Sequence, residues 1–334
     1  MTEVLIALWS LLALILAGWI LAKLGVAPPG SDTAITKICF ALPLPAMVFH
    51  AVSTAHISQV FSPALLVNFL SAVILYVLFY ALGVWVFKLR DGEQTIAALC
   101  ASYTNAGNIG IPYLIAIVGD PTLGAAIMLF QLGILMPFSF FLLGRQTAPG
   151  SRPATASPSS PAQFPVEVPA LASSRGGVLR RFWQGFRVVL FQPPLWGMAL
   201  GLLWSATGIP LWPVLEEPVE MLAAAVVPML MLAVGINASR SSLRDLRQGW
   251  GALSSVLFFK LILSPLVVYL LCLALGVGGP LRLASMVAAT FPVANNVFAF
   301  AMKFNAGVEL ARNAMVLSAL LSFPVVTAVA LVFR

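Results

Sequence analysis

Acid is scarce in this sequence and histidine scarcer, with 11 Asp and Glu and two His among 334 residues. None of the 11 acids lies deep in an apolar stretch, and His50 and His56 sit together at the edge of one. Such a set offers no His/Glu metal spacing and no workable Ser–His pairing, so hydrolytic and metal-dependent chemistry is set aside. The chain is therefore expected to be no enzyme and to carry neither cofactor nor metal. Cys39, Cys100 and Cys272 fall singly inside apolar stretches, without the paired spacing of a disulfide framework or a metal site. A nucleotide-binding motif is also missing, so any work the protein does must draw on gradients or on a partner chain.

What fills the sequence instead is apolar surface. Hydrophobic residues make up 60%, charged residues only 9%, and the mean hydropathy is +1.00. A water-soluble domain cannot bury that much apolar area, which leaves lipid as the solvent. Apolar runs near the length that a bilayer demands recur throughout. The pattern predicts ten spans, at about 4–22, 34–54, 64–87, 95–118, 122–143, 190–207, 212–236, 249–275, 282–303 and 311–332. The first opens on "MTEVLIALWS", with Glu3 in place of a basic leader and no small-residue cleavage site, and reads as a retained span.

The net charge of +7 is a matter of topology. Fifteen of the 18 Lys and Arg fall in loops on one side, from Lys23 and Lys37 through Lys88, Arg90 and the 145–187 and 240–247 segments to Lys303 and Arg312. The other side holds Arg282 and Arg334, and Lys260 alone lies within a span. That asymmetry predicts a multi-pass protein of the cytoplasmic membrane with basic loops in the cytoplasm and both termini outside. No nucleic-acid partner is implied.

Residues 144–188 differ in kind. "APGSRPATASPSSPAQFPVEVPALASSRGG" is too poor in large apolar residues to build a core and reads as a flexible cytoplasmic linker, followed by the basic stretch "RRFWQGFR". It divides a first five-span unit (1–143) from a second (189–334). A shift of 183 carries Gly18 onto Gly201, Gly25 onto Gly208 and Pro45 onto Pro228, and a shift of 187 carries Asn108 onto Asn295 and Pro137 onto Pro324. With an odd number of spans in each unit, the second enters the membrane from the opposite face. The expected fold class is thus an all-α membrane protein built from two inverted five-helix repeats.

Spans four and nine carry the chemistry. "CASYTNAGNIGIPYLIAI" places Asn105, Asn108, Gly110 and Pro112 near the midplane, and "AATFPVANNVFAFAMKF" places Pro292, Asn295 and Asn296 at the matching depth. Proline and glycine loosen a helix, and free backbone groups in hydrocarbon cost several kcal/mol each, so such breaks persist only beside protein or a water-filled cavity. Amides can cap the half-helices, and their N-terminal ends attract an anion. Two broken helices crossing at their breaks would form a binding site for a small ion or polar molecule.

At these residues the sequence resembles the auxin efflux carrier family, which includes plant auxin exporters and bacterial permeases for malonate and malate. The resemblance is carried by "SYTNAGNIGIPY" with "GDPTLGAAIMLFQLGILMP", by "FPVANNVFAFA", and by "FALPLPAMVF" and "VVPMLMLAVG". It implies a scaffold of spans one, two, six and seven, paired into a homodimer. It also implies a mobile unit of spans three to five and eight to ten that moves substrate by an elevator-like shift. Asn108 and Pro112 fall on the first crossover of that family, and Pro292 and Asn295 on the second. Span three, "ALLVNFLSAVILYVLFYALGVWVF", lacks the acid on which plant-type auxin recognition relies.

The expected function is secondary transport of a small organic anion, a carboxylate above all, with an anion channel or a non-transporting receptor as the alternatives. Gln131, mid-span in "LFQLGIL", either contacts substrate or makes a helix–helix hydrogen bond. Lys260, ten residues in from Trp250, lies roughly 15 Å deep. It serves either the orphan carbonyls of a broken helix or the charge of a bound carboxylate.

Overall fold

A computed structural model describes residues 2–54, 62–146, 193–239 and 250–333. Most of the proline-rich linker, the basic stretch after it, His56 and the arginines Arg240, Arg244 and Arg247 lie outside the described residues. What is described is helical apart from short connections and two breaks. The helices are α1 (Thr2–Lys23), α2 (Ser31–Ala41), α3 (Pro43–Thr54), α4 (Pro63–Trp85), α5 (Glu93–Ser102), α6 (Ile111–Ile117), α7 (Thr122–Phe130) and α8 (Met136–Gln146) in the first half. The second half has α9 (Pro193–Thr207), α10 (Pro213–Ala238), α11 (Trp250–Phe258), α12 (Ser264–Ala274), α13 (Gly279–Ala289), α14 (Asn295–Phe304) and α15 (Val308–Phe333). Several begin with proline in the first turn, where its missing N–H is no loss.

Among the described residues, six helical stretches are long and apolar enough to cross a membrane: Ser31–Thr54, Pro63–Trp85, Thr122–Leu143, Pro213–Ala238, Trp250–Ala274 and Val308–Phe333. Of the ten expected spans, 95–118 and 282–303 are interrupted and hence shorter. The segment 190–207 is described only from Pro193, and the apolar part of α1 is the shorter stretch Trp9–Lys23.

Among the described residues three π turns, Ala106–Gly110, Gln131–Leu135 and Phe259–Leu263, lead into α6, α8 and α12. Each is followed at its second residue by proline: Pro112, Pro137 and Pro265. A proline ring clashes with the carbonyl four residues back, and widening the turn to an i−5 bond moves that carbonyl aside. The bonds are those expected, from Ile111 N–H to the Ala106 carbonyl, Met136 N–H to Gln131 and Ser264 N–H to Phe259.

The helices fall into two groups by packing. In one, α1 and α10 pair along their length and α3 packs on both α9 and α10. Lipid tails are as apolar as these side chains, so association rests on close van der Waals approach, for which glycine is suited. A Cβ on Gly18 or Gly235 would overlap the carbonyl oxygens of Leu232 and Ile15 across the α1–α10 contact. One on Gly197 would overlap that of Pro45 across α9–α3. In the other group α4 packs on α5, α12 and α13, while α15 packs on α11, α13 and α14. The groups meet where α1 touches α6 and α15, where α10 touches α6 and the π turn before it, and where α3 touches α7.

Candidate functional site

The first break comes at Tyr103–Asn105, seven residues ahead of Pro112, which stands instead in the first turn of α6 behind the π turn. The expectation that proline itself breaks span four is corrected in this respect. In span nine the break, Phe291–Ala294, does contain Pro292.

The two breaks bond to each other. Thr104 and Val293 form an antiparallel bridge, and Asn105 N–H donates to the Pro292 carbonyl at 2.8 Å. Backbone groups of Thr104 and Val293 are met by side chains. Gln131, oriented to suit both groups of Thr104, donates to its carbonyl at 2.9 Å and accepts from its N–H at 3.0 Å and its hydroxyl at 2.5 Å. Val293 N–H donates to Ser318 Oγ at 2.9 Å. Extended backbone at membrane depth thus finds partners inside the protein, the condition for its survival there. Gly110 is required by the crossing, since a Cβ on it would overlap the ring of Phe291.

The helix ends produced by the breaks are treated differently. Asn105 Oδ1 accepts from Asn108 N–H at 3.2 Å and caps the helix that leads into α6. The α14 N-cap is Ala294, whose side chain has no acceptor to offer the first turn. Asn105, Asn108 and Asn295 line a cavity of about 230 Å³ that reaches to Thr36, Asn237, Tyr113 and the apolar side chains of Leu12, Ile15, Val234, Met315 and Phe323. A single water occupies about 10–15 Å³ on this measure, so the space suits a small organic molecule. It lies between the two packing groups, bounded by α1, α2 and α10 on one side and by the α6 and α14 starts and α15 on the other. Asn108 Oδ1 is buried with no hydrogen-bond partner among the described residues.

Of the residues singled out in the sequence, three line this cavity together, and Gly110, Pro112 and Pro292 shape the crossing beside it. Gln131 lies behind the crossing on Thr104. Asn296 also faces away from the cavity lining, beside the Tyr103 hydroxyl. Lys260 is fully buried in the π turn before α12, away from the cavity lining, and its Nζ has no hydrogen-bond partner among the described residues. Sequence reasoning missed Ser318 and Thr104. The 187-residue shift that pairs Asn108 with Asn295 also carries Gln131 onto Ser318, and would have found it.

A helical membrane protein with paired, mutually bonded helix breaks is the architecture of transporters. The chain belongs to the membrane transport protein family, the auxin efflux carriers, whose model matches residues 3–330. It is a multi-pass membrane transporter and not an enzyme. It is 24% identical over 322 residues to an "Uncharacterized transporter" of Methanothermobacter thermautotrophicus, covering 94% of this chain and 93% of that one. It is 23% identical over 328 residues to a "Putative malonate transporter" of Rhizobium meliloti (96% and 93%). To "Probable auxin efflux carrier component 9" of Oryza sativa it is 23% identical over 165 residues, 48% of this chain and 38% of that one.

Proposed function

We propose that the chain carries a small organic carboxylate across the cytoplasmic membrane by alternating access, with the anion held at the crossing of the two helix breaks. The observation that carries this reading is the cavity itself. It lies between the two packing groups and gathers three amides and the start of α14, whose N-cap is an alanine. N–H groups at a helix start and amide donors favour a carboxylate. The relative named for malonate makes short dicarboxylates the first substrates to try.

Contacts that repeat under the sequence shifts support the inverted repeat. The shift of 183 carries Gly18 onto Gly201 and Phe49 onto Leu232, and Gly18 meets Leu232 as Gly201 meets Phe49. The shift of 187 carries Asn105 onto Pro292, the pair joined by the hydrogen bond between the breaks. In this reading α1, α2, α3, α9 and α10 form a fixed scaffold, which pairs with that of a second copy. The other helices shift as a body, with the basic loops cytoplasmic and both termini outside.

Uptake into proteoliposomes of malonate, malate, indole acetate and short monocarboxylates, with and without proton and sodium gradients, tests the reading. Saturable uptake of at least one acid supports it. Unsaturable flux of unrelated ions at channel rates, or none of any acid, contradicts it. Shortening residues 150–172 should leave uptake intact, because their composition gives them no part in a packed core. Lost uptake in a deletion that still inserts would make the loop a gate.

A further inference from the structure

The crossing separates two cavities. Thr104 and Asn105 are successive residues of extended backbone, and their side chains serve different ones, as alternation along a strand requires. Asn105 lines the large cavity. Thr104 lines a small chamber of about 20 Å³ with Asn68, Ser71, Ser102, Gln131 and Ser264. On the usual measure of about 10–15 Å³ for a water, it holds one ion or one water.

Two features of the chamber are electrostatic. The first is which helix ends reach it. The starts of α6 and α14 face the large cavity through Asn108 and Asn295. The last turns of α5 and α13 line the chamber through Ser102, Ala288 and Ala289. A helix C-terminus carries partial negative charge, and two converge here. The second is the state of the polar side chains. Asn68 Nδ2 donates to the Ala64 carbonyl at 2.8 Å, Ser102 Oγ to Ala98 at 2.8 Å and Ser264 Oγ to Ala289 at 3.1 Å, while the Thr104 hydroxyl donates to Gln131. Carbonyls cannot donate, so the hydroxyl hydrogens of Ser102, Ser264 and Thr104 are committed and their oxygens remain as acceptors, while Asn68 keeps its Oδ1 and one further N–H. Neutral side-chain oxygens gathered at two helix C-termini, in a wall otherwise made of apolar side chains such as Leu75, Ile127 and Phe130, suit a small cation bound by oxygen.

We infer that this chamber holds a small monovalent cation during the transport cycle, at a site separate from the substrate cavity. One source of that chemistry is Na⁺ from solution. The other is internal: the ammonium of Lys260, buried and without a partner among the described residues, stands on the π turn that leads into Ser264. An unpaired ammonium at membrane depth is costly, and the chamber is an acceptor set near it in sequence on the same helix.

Thermal unfolding of the purified protein in NaCl against choline chloride, at matched ionic strength, tests this without requiring transport. The proteins are wild type, Lys260→Met, and each of these with Ser71→Ala and Ser264→Ala. If Na⁺ enters from solution, wild type is stabilised saturably by Na⁺ over choline, and the serine changes raise the half-saturating concentration about ten-fold or more. If Lys260 supplies the charge, wild type is indifferent, Lys260→Met becomes Na⁺-responsive, and the serine changes abolish that response. Ser102→Ala repeats the test should the Ser264 variant fail to fold. Equal behaviour in Na⁺ and choline for both wild type and Lys260→Met, or a Na⁺ response untouched by the serine changes, overturns the inference and leaves a chamber that holds water. Failure of substrate transport would leave this result intact, so the two readings fail separately.

Discussion

Asn108→Ala and Asn295→Ala, made separately, should each reduce carboxylate uptake by roughly ten- to a hundred-fold, because a hydrogen bond to a charged group contributes about 1.5–3 kcal/mol. Both proteins should still insert and purify as monodisperse species. The two residues reach the same cavity from the starts of different half-helices. The Asn108 backbone N–H is capped by Asn105, while its side-chain Oδ1 has no partner among the described residues, so the Asn108 side chain is not needed to hold the break. Asn105→Ala provides the contrast. It removes the acceptor for Asn108 N–H, and loss of such a cap costs about 1 kcal/mol. Its expected signature is a lower unfolding temperature together with reduced uptake, whereas Asn108→Ala reduces uptake alone. Wild-type uptake by both the Asn108 and Asn295 variants would remove the site from the crossing.

Gly110→Ala should be as damaging by another route. The added methyl would occupy the space of the Phe291 ring, which is fully buried and adjoins Pro292. Overpacking of this kind costs about 1–3 kcal/mol where neighbours cannot yield. The strain falls on the pairing of the two breaks, from which Asn105 and Asn295 take their positions. Both unfolding temperature and uptake should therefore drop. Gly133→Ala is the control, since a Cβ there meets open space within the π turn that starts at Gln131, and both quantities should stay near wild type. Equal behaviour of the two variants would show that close approach at the crossing does not matter.

Much of this arrangement was legible in the sequence, and the limits have physical causes. Apolar run length gives the helices directly, because a bilayer fixes how much chain must be apolar. The crossing was legible because Asn, Gly and Pro at midplane are costly without a purpose, and because the shift of 187 brings Asn108 and Asn295 together. The location of the first break was not. Pro112 draws attention to itself, yet a proline near a helix start is accommodated by widening the turn before it. The chain instead leaves the helix at Tyr103, where Gln131 meets both backbone groups of Thr104. That partnership links residues 27 apart and needs the fold to be seen. The division of polar residues between two cavities was likewise hidden. Asn296 adjoins Asn295 in sequence but faces Tyr103, and Thr104 adjoins Asn105 but lines the chamber. Side-chain direction changes with each residue, whereas composition and motif do not record it.

The most direct measurement is a structure of the protein in lipid nanodiscs at saturating concentration of the carboxylate it transports best. The crossing account predicts the carboxylate group within about 2.7–3.2 Å of the Asn108 amide and the first N–H groups of α14, inside the cavity bounded by α1, α10 and α15. Substrate bound elsewhere, with that cavity empty and Asn108 and Asn295 untouched, would contradict it.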